Sequence, residues 1–252
     1  MDREVQQQFG AVAANYVASA VHARGADLAE LVRASALRGD ELVLDLGTAV
    51  GHTALAVAPQ ARRVIGVDLT SEMLGLAGRL AAERGVANVS FARADVSQLP
   101  FPAASFDLVT SRYSAHHYAQ PDRMANEVAR VLRPGGRFVL ADTVAPADYA
   151  LDTFINTVEL LRDRSHVRDH TVKEWQTMLS QAGLQSAVVY EWDVVLDFDD
   201  WVARMKTPPN AVAMLRSLLN EAPPAARETF QIRDDGRLSF SLKGVIIRAE
   251  QN

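Results

Sequence analysis

The chain has 252 residues, 48% of them apolar and 23% charged, with a formal net charge of −5 and no cysteine. This length and apolar share support one sizeable core without a signature of disorder, and no run approaches the length of a membrane span. Interspersed acids and bases leave no basic face for a phosphate backbone, and the lack of cysteine excludes disulfides, thiolate metal sites and a Cys nucleophile. The expectation is a cytoplasmic enzyme with a small-molecule partner and no nucleic acid, its oligomeric state, homodimer included, left open.

Val5, Phe9, Val12 and Tyr16 recur at helical spacing, and Leu28, Leu31 and Val32 continue an apolar face beyond Gly25. The alanine-rich stretch from Ala11 to Ala23 reads as helix rather than a secretory leader, because it follows Asp2, Arg3 and Glu4 and is broken by Asn15 and Tyr16. Two readings stand for residues 1–40: packing helices, or a lid over the strand ends with Tyr16 as a pocket residue.

Leu42-Val43-Leu44 ends at Asp45 and runs into a turn from Gly47 to Gly51, then into apolar-periodic Thr53, Leu55 and Val57. That order is buried strand, tight turn, helix start, the local form in which a parallel sheet presents a crevice at its carboxyl edge. A second apolar run, Val64 to Val67, ends in Asp68, which lies 23 residues beyond Asp45. A carboxylate at that spacing is suited to a ribose diol. Thr70 or Ser71 caps the next helix, which turns Met73, Leu74, Ala77 and Leu80 inward and stops near Gly85. Asn88 to Phe91 alternates as a third strand that delivers Ala94, Asp95 and Val96 to the same edge.

Ser105 to Ser111 reads as a fourth strand and Pro121 to Leu132 as a helix, followed by a turn at Arg133-Pro134-Gly135-Gly136 and a fifth strand from Arg137 to Ala141. Strands alternating with helices imply a doubly wound, mostly parallel sheet. Beyond Asp142 the rhythm changes to helices over Leu151–Leu161 and Val172–Ala182, the second opened by a capping box at Thr171 and Glu174. A strand over Ala187–Trp192, helices over Phe198–Met205 and Ala211–Leu219, and a hairpin of Thr229–Arg233 with Leu238–Arg248 complete the reading. The expected fold is α/β: a Rossmann-like, seven-stranded sheet with an antiparallel C-terminal strand. Its division is 1–40 N-terminal helices, 41–144 core, 145–236 helical lid with one core strand, and 237–252 returning strand.

The turn lacks the third glycine of a dinucleotide fingerprint and the lysine of a phosphate-binding loop. With Asp68 and Asp95 at successive strand tips, it suits a nucleoside ligand whose linker carries no phosphate. At these residues the chain resembles the class I S-adenosylmethionine-dependent methyltransferases, in their ubiquinone/menaquinone-biosynthesis-like bacterial small-molecule branch. LVLDLGTAVGHT, VIGVDLTSEML, ARADVSQLPFPAASFDLV and ARVLRPGGRFVLAD carry the resemblance. It implies S-adenosylmethionine as cofactor, S-adenosylhomocysteine as product, and a methyl transferase acting on a small, partly apolar O-, C- or N-nucleophile. It places Asp45, Gly47, Thr48, Ala49 and Gly51 at the methionine end, Asp68 on the ribose, and Leu69 and Met73 on the adenine. Ala94, Asp95 and Val96 read the adenine amino group, and Ser111 closes the set. Ala49 departs from the family's usual glycine. A non-methylating cyclase or eliminase, or a regulatory protein retaining the fold, is the alternative.

In-line displacement at a sulfonium requires alignment, exclusion of water and, for an acidic nucleophile, a proton acceptor. In the segment Ser111–Tyr118, His116 and His117 are the base candidates beside the plainer reading that they brace the loop, and Tyr113 and Arg112 are placed to orient the acceptor. A second charged stretch runs from Arg162 to His170. His166 and His170 are four apart, but the capping box leaves His170 outside the helix, so no metal is expected. Arg162, His166 and Arg168, with Tyr16 and Arg112, form the expected substrate side.

Overall fold

The computed structural model describes residues 25–251. The expected N-terminal helix and the substrate-side assignment of Tyr16 lie outside the described residues.

Helix α1 (Ala26–Ala34) precedes β1 (Leu42–Leu46), α2 (His52–Val57), β2 (Arg63–Asp68), α3 (Ser71–Glu83) and β3 (Val89–Arg93). The chain then crosses to the other side of β1 for β4 (Phe106–Arg112), α4 (Pro121–Val131) and β5 (Leu132–Val144). Strand order is β3-β2-β1-β4-β5-β8-β6, with β6 (Leu184–Asp197) parallel to the first five strands and β8 (Leu238–Gln251) antiparallel between β5 and β6. A two-residue β7 (Arg233–Asp234) pairs with β8, which raises the strand count from the expected seven to eight. The order reverses between β1 and β4, the switch point where an open α/β sheet leaves a crevice outside its strand ends.

Alternation along β1 sends its side chains to opposite faces. Leu44 and Leu46 join Met124, Val128, Trp175 and Leu179 on one side, while Val43 joins Leu31, Ala54 and Val57 on the other. Both faces are covered, so the strands read as continuous apolar runs. Gly51 begins α2 at φ +85, and a Cβ there would come within 2.9 Å of the Phe91 ring, so the left-handed turn and the tight helix-to-strand packing both require glycine.

Two further expectations change. Arg133 to Gly136 form a bulge inside β5 rather than a turn before it: Phe106 pairs with Leu132 and Leu108 with Arg137, and Arg133 Nη1 donates to Asp107 Oδ1 at 2.7 Å. Thr229 belongs to a helix, α9 (Pro224–Thr229), because the Pro223-Pro224 pair starts a helix where the sequence suggested a hairpin arm. Phe230 and Ile232 turn into a distinct apolar cluster with Ile155, Val158, Trp201 and Phe240. That cluster joins α5 (Tyr149–Arg162), α7 (Phe198–Arg204) and α8 (Pro209–Asn220) to the outer ends of β6 and β8. Helix α6 (Val172–Gln181) carries the expected capping box and packs Trp175 and Leu179 on the sheet.

Gly244 of β8 pairs with Trp192 of β6, and a Cβ there would lie 2.3 Å from the indole Cε2. Gly244→Ala is expected to cost about 1–3 kcal/mol through overpacking, read as a lower urea midpoint at unchanged m-value. An unchanged midpoint would contradict this packing.

Candidate active site

Beneath the crevice lies a wholly buried carboxylate. Asp45 Oδ2 accepts from Thr48 Oγ1 and its Oδ1 from Thr110 Oγ1, each at 2.7 Å. The glycine turn is thereby tied to β4, and burial pushes the Asp45 carboxyl up to about 6 against the pull of those hydroxyls. Asp45 supports the turn from below and does not line the crevice.

Asp68, at the tip of β2, accepts from Ala49 N at 2.9 Å and from Thr70 N at 2.8 Å. Burial pushes its carboxyl upward while these two N–H groups oppose the shift. Ala49 itself sits at φ +46, a left-handed conformation that costs an alanine about 1 kcal/mol and a glycine very little. Gly47, at φ +59, has no room for a side chain: a Cβ would lie 2.6 Å from Ser114 Oγ and 2.9 Å from Tyr118 Oη. Ser114 and Tyr118 hydrogen-bond each other at 2.8 Å and both reach Ser111, which therefore backs the wall rather than lining it.

The crevice encloses about 1190 Å3 of atom-free space, part of it open to solvent. Of the expected cofactor residues, Gly47, Thr48 and Ala49 line its turn end, Asp68, Leu69 and Met73 its middle, and Ala94, Asp95 and Val96 its far end. Asp45, Gly51 and Ser111 stand behind the wall. Asp95 Oδ1 accepts from Ser97 N at 2.8 Å. Arg112, Tyr113 and His117 lie at the near end, where Arg112 Nε donates to the buried Asp27 Oδ2 at 2.6 Å and so fastens α1 to the end of β4.

The loop after β4 is held by the tip of β5. Asp142 accepts from Ala115 N at 2.8 Å, and its Oδ1 lies 2.7 Å from His116 Nδ1. Burial opposes a charge on His116, but Asp142, with Asp169 and Glu159 farther off, outweighs it and lifts the imidazole to about 9. His116 is therefore an imidazolium at neutral pH. His117 is the opposite case: burial, then the charge on His116, push it down to about 4. Neutral His117 donates from Nδ1 to the Ser165 carbonyl at 3.0 Å, leaving its lone pair on Nε2. Burial keeps the Tyr113 and Tyr118 phenols protonated.

The charged stretch 162–170 docks on this loop, since Val167 N donates to the His116 carbonyl at 2.9 Å. Its members part company. Arg162 lines a second chamber. His166 is buried behind His116, with ring centroids 5.7 Å apart, and its Nε2 lies 3.1 Å from Asn156 Oδ1. Arg168 pairs with Asp152 at 2.6 Å and lines neither space. His166 and His170 do not share a helix, and His170 packs edge-on against Trp175. Among the described residues, His116, Asp142 and Asp169 bring metal-ligand atoms within 4.8 Å of one another. They are engaged by hydrogen bonds instead, Asp169 accepting from Thr143 Oγ1 at 2.7 Å.

The second chamber, about 610 Å3 of atom-free space that is partly open to solvent, shares Tyr113 and His117 with the crevice. Glu159, Trp201 and Arg204 also line it. The sequence held one sign of Glu159, an acid at position i+4 from Ile155 in the apolar stripe of α5.

This strand order, with a crevice at its switch point, is that of the Rossmann-like, S-adenosylmethionine-dependent methyltransferases. Residues 44–140 match a family model described as a methyltransferase domain. The chain is 42% identical over 231 residues to the uncharacterized methyltransferase YcgJ of Bacillus subtilis, covering 90% of this chain and 91% of YcgJ. It is 35% identical to the uncharacterized protein YafE of Escherichia coli, over 75% of this chain and 92% of YafE. The crystal structure of Bacillus subtilis YcgJ superposes with a TM-score of 0.87 at 40% identity, covering 90% of this chain and 98% of that one. The chain belongs to the methyltransferase family.

The two histidines give a solution test. Because folding raises His116 above its ordinary 6.5, its stabilisation is whole below about pH 6.5 and is lost as pH rises through about 9. Asp142 is lowered from its ordinary 3.8, so its share is lost as pH falls through its depressed value. In nitrogen-15 NMR, His116 should remain an imidazolium to about pH 9 and His117 stay neutral down to about pH 4. Asp142→Asn should cost about 3 kcal/mol at pH 7 and less at pH 10. Two histidines titrating together near 6.5 would contradict this account.

Proposed function

We propose that the crevice binds S-adenosylmethionine and that the chain transfers its methyl group to a small acceptor in the adjoining chamber. The observation that carries this is the single wall on which Asp68 and Asp95, at successive strand tips, follow the left-handed turn at Gly47 and Ala49. A site built for a dinucleotide would need room at that turn for a pyrophosphate. Here Ser114 and Tyr118 fill the space against Gly47. The donor set fits the nucleoside: a carboxylate for a ribose diol, Leu69 and Met73 as an apolar floor, and a second carboxylate for an amino group.

When bound, the cofactor supplies an electrophilic methyl group on a sulfonium. The protein's part is positional. Asp68 would hold the ribose and Gly47 to Ala49 the methionine end, on a wall that also carries Tyr113 and His117. Neutral His117, held by Ser165, would accept on Nε2 the proton given up by a hydroxyl nucleophile. His116, already charged, braces the loop through Asp142 and adds positive charge beside the chamber.

Isothermal titration with S-adenosylhomocysteine tests the reading. The parent should bind, Asp68→Ala should bind at least about tenfold more weakly through loss of charge-assisted hydrogen bonds, and Ala49→Gly should bind equally or modestly tighter. No binding by the parent, or Asp68→Ala equal to it, would sink the proposal. A large loss in Ala49→Gly would mean that the ligand does not lie against this turn.

A further inference from the structure

The second chamber is lined by a buried acid, Glu159 of α5. Asp152, Ile155 and Glu159 share the buried face of α5, and Arg162 Nη1 lies 3.7 Å from Glu159 Oε2. Glu159 Oε1 is buried and has no hydrogen-bond partner among the described residues. A buried carboxyl oxygen left unpaired is costly, and an apolar residue at this position would avoid the cost. Burial pushes the Glu159 carboxyl up to about 7, although Arg162 pulls the other way.

The rest of the chamber narrows what could meet that oxygen. Arg162 and Arg204 line the chamber together with Asp163, so charges of both signs surround it, and a neutral hydroxyl can meet that oxygen without adding a charge to be compensated. Val194, Leu196 and Leu242 form an apolar wall, completed by Trp201, whose ring lies 5.0 Å beneath the Arg162 guanidinium. We infer that the chamber takes an acceptor with an apolar skeleton bearing a neutral hydroxyl group, and that Glu159 selects it by accepting that hydroxyl's hydrogen bond. The inference rests on reading the neighbouring crevice as the cofactor site.

Fluorescence titration of the full chain, saturated with S-adenosylhomocysteine at pH 7, tests this with 2-naphthol and its methyl ether. The naphthol should bind at least about fivefold more tightly than the ether, the size of one net hydrogen bond. Glu159→Leu should abolish that preference and leave S-adenosylhomocysteine affinity within about twofold of the parent, whereas Glu159→Gln, which keeps an acceptor oxygen, should retain part of it. Equal binding of naphthol and ether by the parent overturns the inference without recourse to any variant. So does a preference that survives Glu159→Leu, or a preference for 2-naphthoate over 2-naphthol, which would assign selection to the arginines. Failure of S-adenosylhomocysteine to bind the parent would instead overturn the cofactor reading, a separate and visible outcome.

Discussion

The site depends on a carboxylate that lies behind its wall. Asp45 is buried at the end of β1 and spends both oxygens on threonine hydroxyls, one in the glycine turn and one on β4, a strand 65 residues away in sequence. Burial disfavours its charge, and the two hydrogen bonds offset part of that penalty. The result is a turn whose position is set from below, at the switch point of the sheet. Asp68 then holds the same turn from the side through Ala49 N. With two carboxylates fixing it, the backbone keeps Ala49 in a left-handed conformation that a lone alanine would avoid.

A similar division of labour organises the other end of the crevice. Asp142 grips the loop after β4 and keeps His116 charged, and that charge in turn helps keep His117 neutral. Ser165, from the segment between α5 and α6, sets the tautomer of His117. The helical layer is therefore mechanically part of the site, since it supplies the partner of the residue that stands between the two cavities. Arg112 makes the matching connection to α1 through Asp27.

Much of this was legible in the sequence wherever the signal was local. The apolar runs ending in Asp45 and Asp68, the glycine turn, and the capping box at Thr171 and Glu174 are short-range patterns with one structural solution each, and the fold follows from their order. Arg133 to Gly136 showed the limit of such reading. Its turn chemistry is real, but pairing on both sides makes it a bulge within a strand. What was not legible rests on long-range partners. Nothing near Asp45 announces Thr110, nothing near His117 announces Ser165, and Arg168 looks as available as Arg162 until Asp152 is seen against it. Glu159 went unnoticed because an acid on an apolar helix face gains meaning only once a cavity is found beside it.

The central claim is that the crevice between β1 and β4 is a nucleoside-sulfonium site that opens onto an acceptor chamber at Tyr113 and His117. A crystal structure with S-adenosylhomocysteine tests it most directly. The account requires density with the ribose hydroxyls on Asp68, the adenine over Met73 beside Asp95, and the sulfur at the neck shared by Tyr113 and His117. Density elsewhere, or an adenine at the Gly47 turn with the sulfur remote from His117, would contradict it.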